Sequence, residues 1–134
     1  MADAKKAVER PLSPFMIGPY YRPQITSISS IMVRITGIVS IGTAFLVVLW
    51  LLSAATSEGV FNVVNGVMTS WFGNLILIIA AWALWYHMLG RLRHVIWDFG
   101  YGLDIETSET LGKGMFVGAT VLTILTAIIM LIGG

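Results

Sequence analysis

The chain has 134 residues, carries 8 Lys and Arg against 7 Asp and Glu for a net charge of +1, contains no cysteine, and is 57% hydrophobic. Exchanging the 4 Tyr for the 14 Gly in the apolar set gives about 64%, where soluble domains average roughly 45–50%. Such a composition excludes a disordered tail and argues against an ordinary soluble domain. The missing cysteines exclude a disulfide framework, a thiolate metal site or an iron–sulfur cluster on this chain.

Residues 1–30 read as a polar segment on the cytoplasmic side. Met1 to Arg10 is polar and no apolar run follows before Ile25, which does not match a cleaved signal peptide. Pro11, Pro14, Pro19 and Pro23 predict an extended stretch over 10–23 that could dock onto a soluble partner. Charge-free blocks then follow, at 35–57, 59–90 and 114–134. A spanning helix needs about 20 mostly apolar residues to cross a hydrocarbon core about 30 Å thick. Three transmembrane helices are therefore expected, at 31–52, 67–95 and 114–132, joined by an external loop at 53–66 and a cytoplasmic loop at 96–113. The fold class is an all-α integral membrane protein.

The basic residues set the orientation. Lys5, Lys6, Arg10, Arg22 and Arg34 precede or open the first span, and Arg91, Arg93 and Lys113 flank the second connection, whereas 53–66 carries Glu58 and no base. The positive-inside rule puts the N-terminus in the cytoplasm and the C-terminus outside. Small residues recur along the helices: Thr36, Ser40 and Ala44, then Ala83 and Gly90, then Gly114 and Gly118. They permit close packing, and so short a bundle is expected to find partners in the bilayer.

Ionisable groups at membrane depth are costly, and their default reading is functional. His87 lies about 15 Å inside a helix that ends near Trp97. His94 follows seven residues later on the same face, about 10 Å along the axis. Ala83 and Gly90 share that face, leaving room for a flat ligand such as haem. Axial ligands approach opposite faces of the ring, so this helix can supply one axial bond at most. The other reading of His87 is a neutral imidazole bonded to a neighbouring helix. Arg34, on the antiparallel first helix, reaches the level of Arg91, Arg93 and His94. Arg34, Arg93 and His94 suit an anionic group such as a haem propionate, while Arg91 reads as a residue that snorkels to lipid phosphate. Ser30, one turn before Arg34, adds a hydroxyl where a quinone carbonyl could bind. Trp71 and Trp97 read as interfacial belt residues, and Trp50, Trp82 and Trp85 as lipid-facing or packing residues. No phosphate loop, nucleophile triad or metal-binding carboxylate cluster is visible, and no nucleic-acid partner is expected.

Three stretches carry a family resemblance over almost the whole chain. They are Arg10-Pro11-Leu12-Ser13-Pro14; Tyr21-Arg22-Pro23-Gln24-Ile25-Thr26-Ser27 with Ser30-Ile31 and Arg34-Ile35-Thr36-Gly37; and His87 to Gly100, HMLGRLRHVIWDFG. In order and spacing the chain resembles the cytochrome b membrane-anchor subunit of succinate dehydrogenase, respiratory complex II. The resemblance implies that His87 is one axial ligand of haem b and that a second membrane-anchor subunit, completing the helical bundle, supplies the other. It implies that Ser30 and Arg34 line a ubiquinone site beside the iron–sulfur subunit, and that Arg34 and His94 lie near the haem propionates. FAD and the iron–sulfur clusters would sit on the flavoprotein and iron–sulfur subunits, and the location would be a bacterial inner membrane rather than a mitochondrial one. The chain departs from the family at Val33, where a histidine is usual, and at Phe15, where many members have one. The rival readings are a fumarate reductase anchor using a low-potential quinol, and a cofactor-free structural anchor or small channel.

Overall fold

The structure, a computed structural model, describes residues 24–134. The proline-rich stretch at 10–23, with Phe15, lies outside the described residues. Four helices follow in order: α1 (Ile25–Thr56), α2 (Glu58–Met68), α3 (Trp71–Asp98) and α4 (Ile105–Gly133). The all-α class stands, and α1, α3 and α4 are each long and apolar enough to cross a membrane.

Capped ends move the helices from the expected spans: α1 and α4 begin earlier, while α3 runs from Trp71 to Asp98 in place of 67–95 because 67–68 close α2. α1 starts just after Pro23, with the Gln24 N–H donating to Ser27 Oγ at 3.1 Å, so the polar residues before Ile31 are already helical. The stretch 53–66, expected as a loop, folds largely as helix: Ser57 caps α2 by accepting the Val60 N–H, and Glu58 in its first turn suits the positive end of the dipole. Ser70 caps α3 by accepting the Gly73 N–H at 3.3 Å. Asp104 caps α4, accepting from the Thr107 N–H at 3.1 Å and hydroxyl at 2.8 Å. Those two bonds stabilise its anion and hold the carboxyl below the usual carboxylate range. The α3–α4 connection thus shrinks to a tight turn in which Gly100 and Gly102 take φ of 82° and 70°. Trp97 Nε1 and the Ser108 hydroxyl both donate to the Gly102 carbonyl and fasten the turn.

Packing is inverted relative to a soluble domain. α3 lies against both α1 and α4, and its buried positions Ala80, Ala83, Tyr86, Gly90 and Arg93 recur at helical spacing. Tyr86 packs with Val33 of α1 and Met115 and Ala119 of α4, while Ser29 and Thr36 of α1 and Ser108, Gly112 and Thr123 of α4 are the other buried positions on those helices. Small and hydroxylated residues face inward while Ile, Leu, Val and Phe cover the outside. Small residues let the backbones approach, and lipid replaces water as the solvent for the large ones. The hydroxyls need no outside partner: Thr36 donates to Met32 O at 2.7 Å and Thr123 to Ala119 O at 2.7 Å. Tyr86 is fully buried between Trp82 and Phe116, with ring centroids at 5.0 and 4.9 Å, and donates its phenolic hydrogen to the Ser29 carbonyl at 3.0 Å. Trp82 and Trp85 tie α3 to α4 through Nε1 bonds to Thr120 and Thr126.

Candidate functional site

Antiparallel packing of α1 on α3 brings residues far apart in sequence to one end of the bundle. An open cavity of about 810 Å³ lies there, lined by Ser30, Arg34 and Gly37 of α1 and by His87, Arg91 and His94 of α3, with Val33, Ile38, Ser40, Ile41 and Ala44. That volume falls in the range of small-molecule and cofactor sites. Four of the five expected site residues, Ser30, Arg34, His87 and His94, therefore share one hollow.

The geometry of His87 is the most informative. Its Nδ1 lies 3.0 Å from the Val33 carbonyl oxygen. A carbonyl can only accept, so Nδ1 carries a hydrogen, and in the neutral ring this tautomer puts the lone pair on Nε2. Nε2 has no hydrogen-bond partner among the described residues. This is how a ligating histidine is usually held, with one nitrogen donating to a backbone carbonyl and the other presented to a metal. The fit depends on Gly37, one turn beyond Val33: a Cβ there would stand 3.0 Å from His87 Cε1 and 3.3 Å from Nδ1. Glycine lets the imidazole lie against the α1 backbone.

The small residues expected to make room on α3 serve a different purpose. Ala83 and Gly90 are buried, and a Cβ at Gly90 would stand 2.5 Å from Val33 Cγ2. Gly90 seats Val33 of α1, and the room beside the imidazole comes from Gly37. Val33, noted above as a departure from the resemblance, fills that seat with its methyls while its backbone oxygen orients His87.

The arginines also divide differently from expectation. Arg93, grouped in the sequence with Arg34 and His94 around an anion, does not line the cavity. It is 2% exposed and turns between the helices, donating from Nη1 to Ser29 Oγ at 2.6 Å and from Nη2 to Ser30 Oγ at 3.4 Å. Its guanidinium carbon sits 4.6 Å from the Trp97 ring centroid. Arg91, read as a lipid-facing residue, lines the cavity with Arg34 and His94. His94 in turn meets the Trp97 ring edge to face, at 5.4 Å and 87°. Sequence reasoning passed over Ser29, Gly37 and Tyr86. Tyr86 neighbours His87 and Gly37 closes the Arg34-Ile35-Thr36-Gly37 stretch, but only the α1–α3 register reveals what they touch.

The described residues hold no group of three His, Cys, Asp or Glu side chains placed to bind a metal ion. A single imidazole can still serve an iron whose other positions are filled by a porphyrin and by another chain. The cavity, the imidazole and the two arginines on its wall suit a ligand that carries a metal and acidic groups.

Comparison with known proteins points the same way. Residues 6–126 match the model of the family described as succinate dehydrogenase/fumarate reductase transmembrane subunit. The succinate dehydrogenase cytochrome b556 subunit of Paracoccus denitrificans is 42% identical over 132 residues, covering 98% of this chain and 99% of that one. The cytochrome b556 subunit of Rickettsia conorii is 30% identical, with 87% and 90% covered, and the cytochrome b560 subunit of Reclinomonas americana is 34% identical, with 91% and 87% covered. Matched along nearly its whole length, the chain belongs to the transmembrane-subunit family of succinate dehydrogenase and fumarate reductase, as a cytochrome b membrane anchor.

Proposed function

We propose that this chain holds one axial position of a b-type haem through His87 and one edge of a ubiquinone site through Ser30 and Arg34, so that electrons from an iron–sulfur subunit reach quinone in the membrane. The observation that carries the reading is the His87 Nδ1 bond to the Val33 carbonyl, which leaves Nε2 free beside an open cavity. Bound there, haem b supplies a one-electron relay to a chain whose own side chains offer none. Arg34, Arg91 and His94 surround the same hollow and suit its acidic groups through charge-assisted hydrogen bonds.

Quinone reduction needs two electrons and two protons at the carbonyl oxygens. The Ser30 hydroxyl can donate to one such oxygen. The fixed charge of Arg34 stabilises the negative charge that builds there as electrons arrive. The electrons must come from outside this chain, because it has no cysteine to bind an iron–sulfur cluster. An iron–sulfur subunit and a flavoprotein subunit with FAD would supply them, and a second membrane-anchor subunit would hold the haem together with His87. The relatives are named for succinate dehydrogenase, which favours succinate oxidation as the working direction. The eight basic residues favour a cytoplasmic N-terminus, a cytoplasmic 96–113 connection and an external C-terminus, in the inner membrane of a bacterium.

The test is the reduced-minus-oxidised spectrum of the assembled complex. His87→Ala should abolish or displace the b-haem bands. An unchanged spectrum in a complex of full subunit content refutes the ligand assignment.

A further inference from the structure

We infer that Arg93, seated on Trp97, is a positioning residue that fixes Ser30 as a hydrogen donor toward the ligand of the cavity. The inference rests on the reading of Ser30 as a quinone contact and adds what makes that hydroxyl a donor.

Most inward hydroxyls of α1 are spent on their own helix. Ser29 donates to Thr26 O at 2.9 Å, Thr36 to Met32 O at 2.7 Å, Ser40 to Thr36 O at 2.7 Å and Thr43 to Val39 O at 2.9 Å. Ser30 donates to no carbonyl among the described residues. Its oxygen instead accepts from Arg93 Nη2 at 3.4 Å, while Nη1 of the same fork takes Ser29 Oγ at 2.6 Å. The guanidinium straddles two consecutive serines with different results. Ser29 both donates and accepts, and is closed. Ser30 has a lone pair engaged by a cation, no acceptor for its hydrogen among the described residues, and a place on the wall of the cavity. Drawing density into the arginine also strengthens the remaining O–H as a donor. A carbonyl acceptor is what such a hydroxyl selects, and a quinone offers one.

Arg93 is held for this task at a visible cost. It is 2% exposed, and its Nε is buried without a hydrogen-bond partner among the described residues. The Trp97 face, 4.6 Å from the guanidinium carbon, supports the charge. Trp97 is itself anchored by its Nε1 bond to the Gly102 carbonyl at 3.0 Å. Lysine would keep the charge and lose the planar fork that reaches both serines at once.

The experiment compares Arg93→Lys, Ser30→Ala and the double variant in the whole complex, reading KM for a short-chain ubiquinone against kcat per haem. Loss of a hydrogen bond to a charged group predicts a rise in KM of about tenfold for Arg93→Lys, with kcat nearly kept. The double variant should show no more than the larger single effect, because both changes remove one donor. An unmoved KM in Arg93→Lys, or effects that multiply in the double variant, overturns the proposal. Should Arg93→Lys fail to assemble, Trp97→Leu keeps the fork and removes its seat. It should then raise KM about threefold, as loss of one cation–π contact would. Failure of both to assemble marks the pair as a structural strut and likewise overturns the proposal. Ser30→Ala with unchanged KM refutes the quinone role of Ser30 itself. Its effect without one from Arg93→Lys refutes only the positioning role.

Discussion

The two halves of α1 differ in composition, 6 of 12 residues apolar over 25–36 against 14 of 20 over 37–56, and they have opposite surroundings. From Ile25 to Thr36 the helix is wedged against α3 and α4, with Ser29, Val33 and Thr36 buried. From Gly37 onward it turns Ile38, Ile41, Phe45, Val48, Leu49 and Leu51 outward, and Ser53 is its one further buried residue. The cavity with His87 opens where the first half ends. A haem-sized ligand needs a gap between helices, and the packed half supplies the rigid wall that orients the imidazole. The open half supplies the gap, facing lipid or another subunit. A site on this boundary is one that a second membrane chain can complete without disturbing the elements that hold His87.

The largest way to break the contrast is to add one methyl in the packed half. Gly90→Ala would place a Cβ 2.5 Å from Val33 Cγ2 and 3.3 Å from Met115 Cε. Valine is stiff about χ1 and cannot swing clear, so α1 and α3 must part. Overpacking of this kind costs about 1–3 kcal/mol. The purified complex should show a lower Tm, and adding Val33→Ala should recover part of the loss. A Tm equal to wild type would show that the α1–α3 contact is looser than these distances.

A methyl at the boundary should act on the ligand rather than the fold. In Gly37→Ala the new Cβ would meet the imidazole edge at 3.0 Å and press it away from the Val33 carbonyl. Losing the bond that orients a ligating histidine typically costs 10-fold to 100-fold in affinity. Haem content should fall about tenfold at limiting haem with Tm nearly kept. Full haem content with an unshifted spectrum would show that the Val33 bond does not set the imidazole.

The three long apolar helices and the shared level of Ser30, Arg34, His87 and His94 were legible in the sequence because each depends on hydropathy or on helix rise alone. What was not legible depends on register between helices. Gly90 and Gly37 are both glycines beside His87, and only packing tells that one seats Val33 while the other admits the imidazole. Arg91 and Arg93 are two residues apart, about 200° around the helix. Which of them faces the cavity turns on where α1 lies, and that placed Arg93 on Ser29 and Arg91 at the rim. The helix at 58–68 was missed for another reason. Its apolar positions are too few to span, and its start signals, the cap Ser57 and Glu58 in the first turn, sit inside a stretch that charge counting treats only as a link.

The smallest expected effect sharpens the contrast from the other side. Gly42 lies in the open half of α1, and a Cβ there meets nothing within 4 Å. Within this chain alone, Gly42→Ala removes only the backbone freedom that glycine brings to a helix, so the complex should be unchanged or gain less than about 1 kcal/mol, read as a slight rise in Tm. The same methyl becomes costly if another helix seats on Gly42 as α1 seats on Gly90. A drop in Tm as large as that of Gly90→Ala would therefore mean that protein, not lipid, covers the open half at this depth. The boundary at Gly37 would then be the middle of a four-helix interface rather than the edge of a three-helix one.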